Sequence, residues 1–271
     1  MAVDAVLGML RCPVCAAALQ RDGGTVGCPA GHRFDLARQG HLNLLRSAPP
    51  ANADTAEMVA ARLRFLDAGH YRPILDAVAG GIDPRTRTWV EPGAGPAWYL
   101  SRLLEAHPAA HGLAGDVSVA AARRAARAHP RIGAVVFDTW REWPVADASA
   151  DLVLAIFAPR NVTEFARVLR PGGQVIVVTP NPDHLAELRA GYGLLDVPGD
   201  KSDRLADALA DDFDADGRVE VRAELALSAT EVGDLIAMGP NAFHRQGDPD
   251  VTPARTTLSV TVSCWRRGPV G

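Results

Sequence analysis

The sequence predicts an α/β fold, a mostly parallel sheet covered by helices, with a small metal-stabilised module ahead of it. Three observations carry that expectation. From Arg87 onward, apolar runs of strand length alternate with segments of helical spacing, as repeated βα units require. Cys12, Cys15, Cys28 and His32 stand in the order C-x2-C-x12-C-x3-H, a metal-ligand spacing. A glycine turn, Glu91-Pro92-Gly93-Ala94-Gly95-Pro96, follows the first strand of the alternation and opens a helix.

The chain has 271 residues, 48% hydrophobic and 22% charged, enough for one large domain plus a small appendage. Such a chain buries roughly 70–75% of the surface its unfolded form exposes. A mean hydropathy of +0.00 and the lack of a long apolar run exclude a membrane-spanning helix. Met1 to Leu10 carries Asp4 and no basic region, which argues against a secretory leader, so a cytoplasmic location is expected. Residues 1–134 hold 15 basic against 11 acidic groups, and the remainder 13 against 21. Eight aspartates crowd between Asp196 and Asp216. If the chain binds nucleic acid, its first half should do so, because like charge repels phosphate.

Taken in order, the first element is the ligand quartet. Each pair forms a tight knuckle, stiffened or permitted by Pro13, Pro29 and Gly31, and Gly23-Gly24 turns the hairpin between them. Three thiolates and an imidazole complete a tetrahedral Zn²⁺ shell with no open position, so the site is structural. A disulfide is the rival reading and needs an oxidising compartment. The first ~45 residues are therefore expected to fold around the metal. Arg33 to Leu45 mixes Arg33, Arg38, Gln39 and Asn43 with apolar residues; it fits either an RNA contact or a second hairpin packed on its neighbour. Ser47 to Ala51 reads as a linker and Asp54 to Ala79 as helical, with Asp54 as the cap.

Strands follow at Thr88–Glu91, Ala110–Asp116, Ile132–Asp138, Ala150–Phe157 and Gln174–Thr179. Helices are expected at Trp98–Ala106, Val119–Ala128 and Val162–Leu169. Arg218–Ala226 and Thr256–Trp265 alternate as an antiparallel pair, and Cys264 in the latter is a strand residue. Ligands of such sheets bind beyond the carboxyl ends of the strands. There the glycines allow close approach, Asp116 can accept from ribose hydroxyls, and Asp138 from an adenine amino group. Together they favour an adenosine-containing cofactor. Ala97 stands where a dinucleotide site wants its third glycine, and Pro96 removes a backbone N–H. Both features disfavour NAD(P) against S-adenosylmethionine.

With those motifs in place, the chain resembles the zinc-containing 23S rRNA (guanine-N1)-methyltransferases of the RlmA type, closest to the tylosin-resistance branch of Gram-positive bacteria. The resemblance rests on Cys12-Pro-Val-Cys15…Cys28…Gly31-His32-Arg-Phe-Asp35, Gly40…Asn43, and Asp54-Thr-Ala-Glu-Met58…Ala61-Arg62…Leu66-Asp-Ala-Gly-His-Tyr71. It continues through Phe157-Ala-Pro-Arg-Asn161, Leu169-Arg-Pro-Gly-Gly173, Thr179-Pro180…His184-Leu-Ala-Glu-Leu188 and Ala237-Met-Gly-Pro240. It implies a class I methyltransferase fold with a seven-stranded sheet, divided as a zinc module (1–46), a linker and helix (47–80) and a methyltransferase domain (81–271). It further implies bound S-adenosylmethionine, a 23S rRNA hairpin in the helix 35 region as partner, a homodimer with a basic cleft, and a link to macrolide resistance. On matching positions Tyr71, Gly95, Pro96 and His184 become cofactor contacts beside Glu91, Gly93, Asp116 and Asp138. The family's first motif usually reads Asp-x-Gly-x-Gly-x-Gly; here Glu91 is longer by a methylene, Pro92 and Pro96 restrict the turn, and Ala97 replaces the last glycine.

The expected chemistry follows from guanine, whose N1 is a poor nucleophile until its proton leaves. Arg160 is expected at guanine O6, with Phe157 and Phe243 stacking on an extruded base. His244 is the expected proton acceptor. Two other functions fit the same residues: methylation of another RNA or a small molecule, and a non-catalytic RNA-binding protein with a degenerate cofactor loop.

Overall fold

The computed structural model describes residues 2–199, 201–239 and 250–269. Two 3-10 turns, Ala2–Ala5 and Leu7–Met9, precede a three-stranded antiparallel sheet of β1 (Gln20–Asp22), β2 (Thr25–Gly27) and β3 (Arg33–Asp35). Then come β4 (Leu42–Asn43), α1 (Ala56–Asp67), α2 (Arg72–Gly81), β5 (Thr88–Pro92), α3 (Trp98–Ala106), β6 (His111–Asp116), α4 (Val119–Ala125) and β7 (Ile132–Val136). The chain continues through β8 (Ala150–Ile156), α5 (Val162–Val168), β9 (Leu169–Pro180), α6 (Ala186–Tyr192), α7 (Lys201–Leu209), β10 (Phe213–Leu227), α8 (Ala229–Ala237) and β11 (Ala254–Arg267).

The main sheet runs β10-β11-β9-β8-β5-β6-β7-β4. β4 through β9 pair in parallel, and β11 and β10 add antiparallel to β9. The expected seven strands are present, and β4 adds an eighth by pairing Leu42 and Asn43 with Val135 and Val136. β5 lies between β6 and β8, so the strand order reverses there and leaves a crevice at its carboxyl end.

Two apolar cores flank the sheet. One gathers Phe65, Leu75, Leu100, Leu104 and Leu235 from α1, α2, α3 and α8. The other gathers Phe165, Leu205 and Leu209 from α5 and α7 with Val3, Val6 and Met9 of the N-terminal turns. No helix joins β7 to β8, and the N-terminal turns cover that part of the face. Gly133 on β7 suits that contact, because a Cβ there would collide with the Val6 side chain. Arg11 N–H donates to Pro144 O at 3.1 Å and Ala146 N–H to Met9 O at 2.7 Å. Packing on the sheet therefore anchors residues 2–10.

Residues 54–79 form two helices, not one, broken at 68–71 where Gly69 takes φ +88°. The cap of α1 is Thr55, whose Oγ1 accepts from Met58 N–H at 3.3 Å; Asp54 instead pairs with Arg62.

Candidate active site and metal centre

The crevice at the end of β5 is a cavity of about 350 Å³. Of the sequence-predicted cofactor residues, Tyr71, Glu91, Gly93, Gly95, Pro96, Asp116 and His184 all line it, and so does Phe157. The turn after β5 is shaped for close approach. Gly93 has φ +66°, and a Cβ there would meet Ala158 Cβ at 3.0 Å. Gly95 has φ +55°, and a Cβ would lie 2.9 Å from Arg62 Nη1. Pro92 ends β5 and Pro96 precedes the left-handed Ala97 that caps α3 (φ 57°); neither proline closes the cavity.

Asp116 fixes this turn from β6. Gly95 N–H donates to its Oδ2 and Ser118 N–H to its Oδ1, each at 2.8 Å. Burial raises its pKa, which these two donors oppose. Glu91 is 3% exposed, and its Oε2 has no hydrogen-bond partner. Burial pushes its pKa to about 8, which favours the neutral acid. Neighbouring Tyr99 Oη is likewise buried without a partner. An adenosyl ligand with hydroxyl and ammonium donors fits such orphaned acceptors.

One wall is aromatic. His184 Nδ1 accepts from Ser259 N–H at 3.2 Å, which leaves the ring proton on Nε2, 3.4 Å from Tyr71 Oη. Burial raises the Tyr71 pKa, keeping it protonated. Phe157 stacks on His184, with centroids 5.8 Å apart and planes at 24°. It is 41% exposed and has φ 53°. A left-handed aromatic residue costs about 1–2 kcal/mol, a strain typical of ligand sites.

Arg160 follows in the same loop but does not line the cavity; it is half-buried, and burial lowers its pKa. Asp138 stands apart as well. It accepts from Trp140 N–H at 2.9 Å and Arg141 Nε at 3.1 Å, and Thr139 takes the place on the cavity wall. Phe243, His244 and Pro240 lie outside the described residues.

Arg62, the one guanidinium in the described lining, carries no role that is legible in the sequence. It pairs with Asp54 and donates to Met238 O at 2.6 Å, joining the entry to α1, the glycine turn and the end of α8. A charged residue at the helical spacing of α1 reads as solvated surface until the tertiary fold places it.

Cys12, Cys15, Cys28 and His32 bring their ligand atoms within 4.8 Å of one another. Cys15 Sγ and Cys28 Sγ are 3.6 Å apart, and His32 Nδ1 lies 3.4 Å from Cys28 Sγ and 3.6 Å from Cys12 Sγ. A tetrahedral zinc site with ligands at about 2.0–2.3 Å wants separations of about 3.5–3.8 Å. The cysteines are free thiols, so the geometry fits zinc and not a disulfide. Ala16 at φ 58° and Gly31 at φ +87° turn the two knuckles.

A ribbon with a closed metal shell, followed by a doubly wound sheet with an acid-fixed glycine turn at its switch point, defines a zinc-ribbon class I S-adenosylmethionine-dependent methyltransferase. Residues 10–49 match the family described as RlmA, N-terminal, and residues 90–177 match a methyltransferase domain. The 23S rRNA (guanine(748)-N(1))-methyltransferase of Streptomyces fradiae is 44% identical over 96% of this chain and 98% of its own. A relative from Micromonospora griseorubida, also named for guanine-N1 methylation of 23S rRNA, is 46% identical over 94% of this chain and 92% of its own. The chain belongs to the 23S rRNA (guanine-N1)-methyltransferase family. Among solved structures, a chain from the complex of a Haloferax volcanii methyltransferase with the Trm112 activator superposes with a TM-score of 0.55 at 17% identity, covering 78% of this chain and 95% of that one; it shows the fold alone.

Proposed function

We propose that this chain transfers the methyl group of S-adenosylmethionine to N1 of a guanine in a 23S rRNA hairpin of the helix 35 region. The observation that carries the reading is the cavity at the β5 switch point, with Asp116 held by two backbone donors and the exposed Phe157 ring at its wall. The bound cofactor supplies an electrophilic methyl group.

Asp116 keeps lone pairs free for ribose hydroxyls after accepting its two N–H bonds. Glu91 accepts from the cationic end of the cofactor, where a nearby positive charge favours its ionised form. Gly93, Gly95 and Pro96 form the floor of the turn, and Tyr71 and His184 the wall. Phe157 stacks on the extruded guanine. Arg160 holds guanine O6 and favours loss of the N1 proton, and His244 accepts that proton. Transfer in line between two partners that lose charge gains most from alignment and exclusion of water. Asp138, next to Thr139 on the cavity wall, accepts from the adenine amino group with the lone pairs its two bonds leave free.

Residues 1–46 serve as the zinc-bearing RNA-recognition module, 47–80 as linker and helix, and 81–271 as the methyltransferase domain. The protein works in the cytoplasm as a homodimer. No helix of the described residues is long and apolar enough to cross a membrane. Calorimetric titration with S-adenosylmethionine, followed by methyl transfer to a 23S rRNA transcript, tests the reading. One-site binding and a reverse-transcription stop at a single guanine are expected; no binding at millimolar ligand would leave only an RNA-binding role.

A further inference from the structure

Five large apolar side chains stand exposed among the described residues, and Trp140 is the most exposed at 69%. A second depression, of about 610 Å³, lies between the zinc knuckle and the sheet and includes Val14, Arg46, Asp138 and Arg141. Val14 in that groove and Phe157 in the cofactor cavity are two more of the five. The two depressions meet at residues 138–141, since Thr139 lines one and its neighbours Asp138 and Arg141 the other.

This junction is braced from beneath. Besides the two bonds to Asp138, Thr139 O accepts from Trp143 Nε1 at 3.0 Å and Asn161 Nδ2 at 3.3 Å. Arg141 O accepts from Asn161 Nδ2 at 3.0 Å, which ties the loop to the residue after Arg160. The backbone is thus fixed while the indole and the Arg141 guanidinium, 77% exposed, project outward. Exposing a tryptophan forfeits its burial energy, so a rigid loop that does so points to a flat, π-rich partner.

We propose that Trp140 is a stacking platform for an unpaired nucleobase next to the methylated guanine, with Arg141 at the adjoining phosphate, and that the RNA strand enters the cavity over this loop. An aromatic face with a neighbouring guanidinium is the arrangement that holds single-stranded RNA. Asp138 then braces that platform from below. The inference rests on the proposed RNA substrate.

The test compares wild type, Trp140→Ala and Trp140→Phe on a hairpin transcript of the target region. Loss of one base stack raises the RNA Kd and KM of Trp140→Ala roughly 5- to 150-fold. Trp140→Phe recovers most of that loss, and the Kd for S-adenosylmethionine stays within about twofold for both. RNA also quenches tryptophan emission of the wild type, and Trp140→Phe abolishes that quenching while still binding. Unchanged RNA affinity in Trp140→Ala, or an equal loss of cofactor affinity, overturns the platform. A wild type that binds no RNA refutes the substrate reading itself, which separates the two failures.

Discussion

Glu91→Gln is the perturbation whose magnitude follows most directly from the structure. The Glu91 carboxyl is buried, one oxygen lacks a partner, and its pKa rises from 4.5 to about 8. An acid whose folded pKa lies above its unfolded value costs no stability below about pH 4.5. The cost grows as pH rises through the window between the two values, because the unfolded chain releases the proton first, and it levels off above about pH 8. Between about pH 5.5 and 7.5 the cost increases by about 2.5 kcal/mol, at roughly 1.4 kcal/mol per unit of pKa difference. Gln keeps the shape and cannot ionise, and any penalty for its buried amide does not vary with pH. The melting temperature of Glu91→Gln relative to wild type should therefore climb by about 5–10 °C across that interval, for a chain of this size. Thermal unfolding of the apoprotein at several pH values, followed by circular dichroism, measures it. A difference that is flat in pH would refute the claim that this cavity holds a neutral acid.

Asp116→Ala removes the acceptor of two backbone N–H groups and should cost about 2–4 kcal/mol of stability, with cofactor affinity falling at least tenfold by calorimetry. Asp116→Asn, which keeps one acceptor, should recover part of both. Cys28→Ser should release zinc, detected by metal analysis, and weaken RNA binding. The main sheet should stay folded, because residues 2–10 are anchored by their own packing on β7; loss of cooperative unfolding would contradict this. Arg160→Ala should leave cofactor affinity within about twofold while slowing methyl transfer at least 100-fold, about 3 kcal/mol in the barrier; equal loss of both would make Arg160 a structural residue.

Much of this architecture was legible in the sequence wherever local chemistry suffices. The ligand quartet is a spacing rule, and the structure brings all four atoms to one point. Helix α3 has its expected bounds, Trp98–Ala106, because a glycine turn starts it and His107-Pro108 stops it. Asp116, the last residue of β6, does sit on the cavity, since the end of a parallel strand beside the switch point has nowhere else to face.

Long-range features were not legible. Leu42 and Asn43 form a strand only because β7 offers a free edge, and two residues carry no period. The break at 68–71 rests on Gly69 and Pro73, a stop and a restart that the apolar spacing across the stretch masks. Asp138 occupies its expected position, and the bonds its carboxylate accepts from Trp140 N–H and Arg141 Nε tie it to its own loop, a pairing that no sequence pattern announces. Arg62 contacts Asp54 and Met238, and that meeting exists only after α1 packs against α8.

Comparing 23S rRNA from cells that carry this protein with rRNA from cells that lack it asks whether the chain methylates guanine N1 at all. Mass spectrometry and primer extension should find one added methyl group, at N1 of a guanine in a single hairpin, present only when the protein is present. Identical rRNA from the two cultures, or a new methyl group at any other base or atom, would contradict the account.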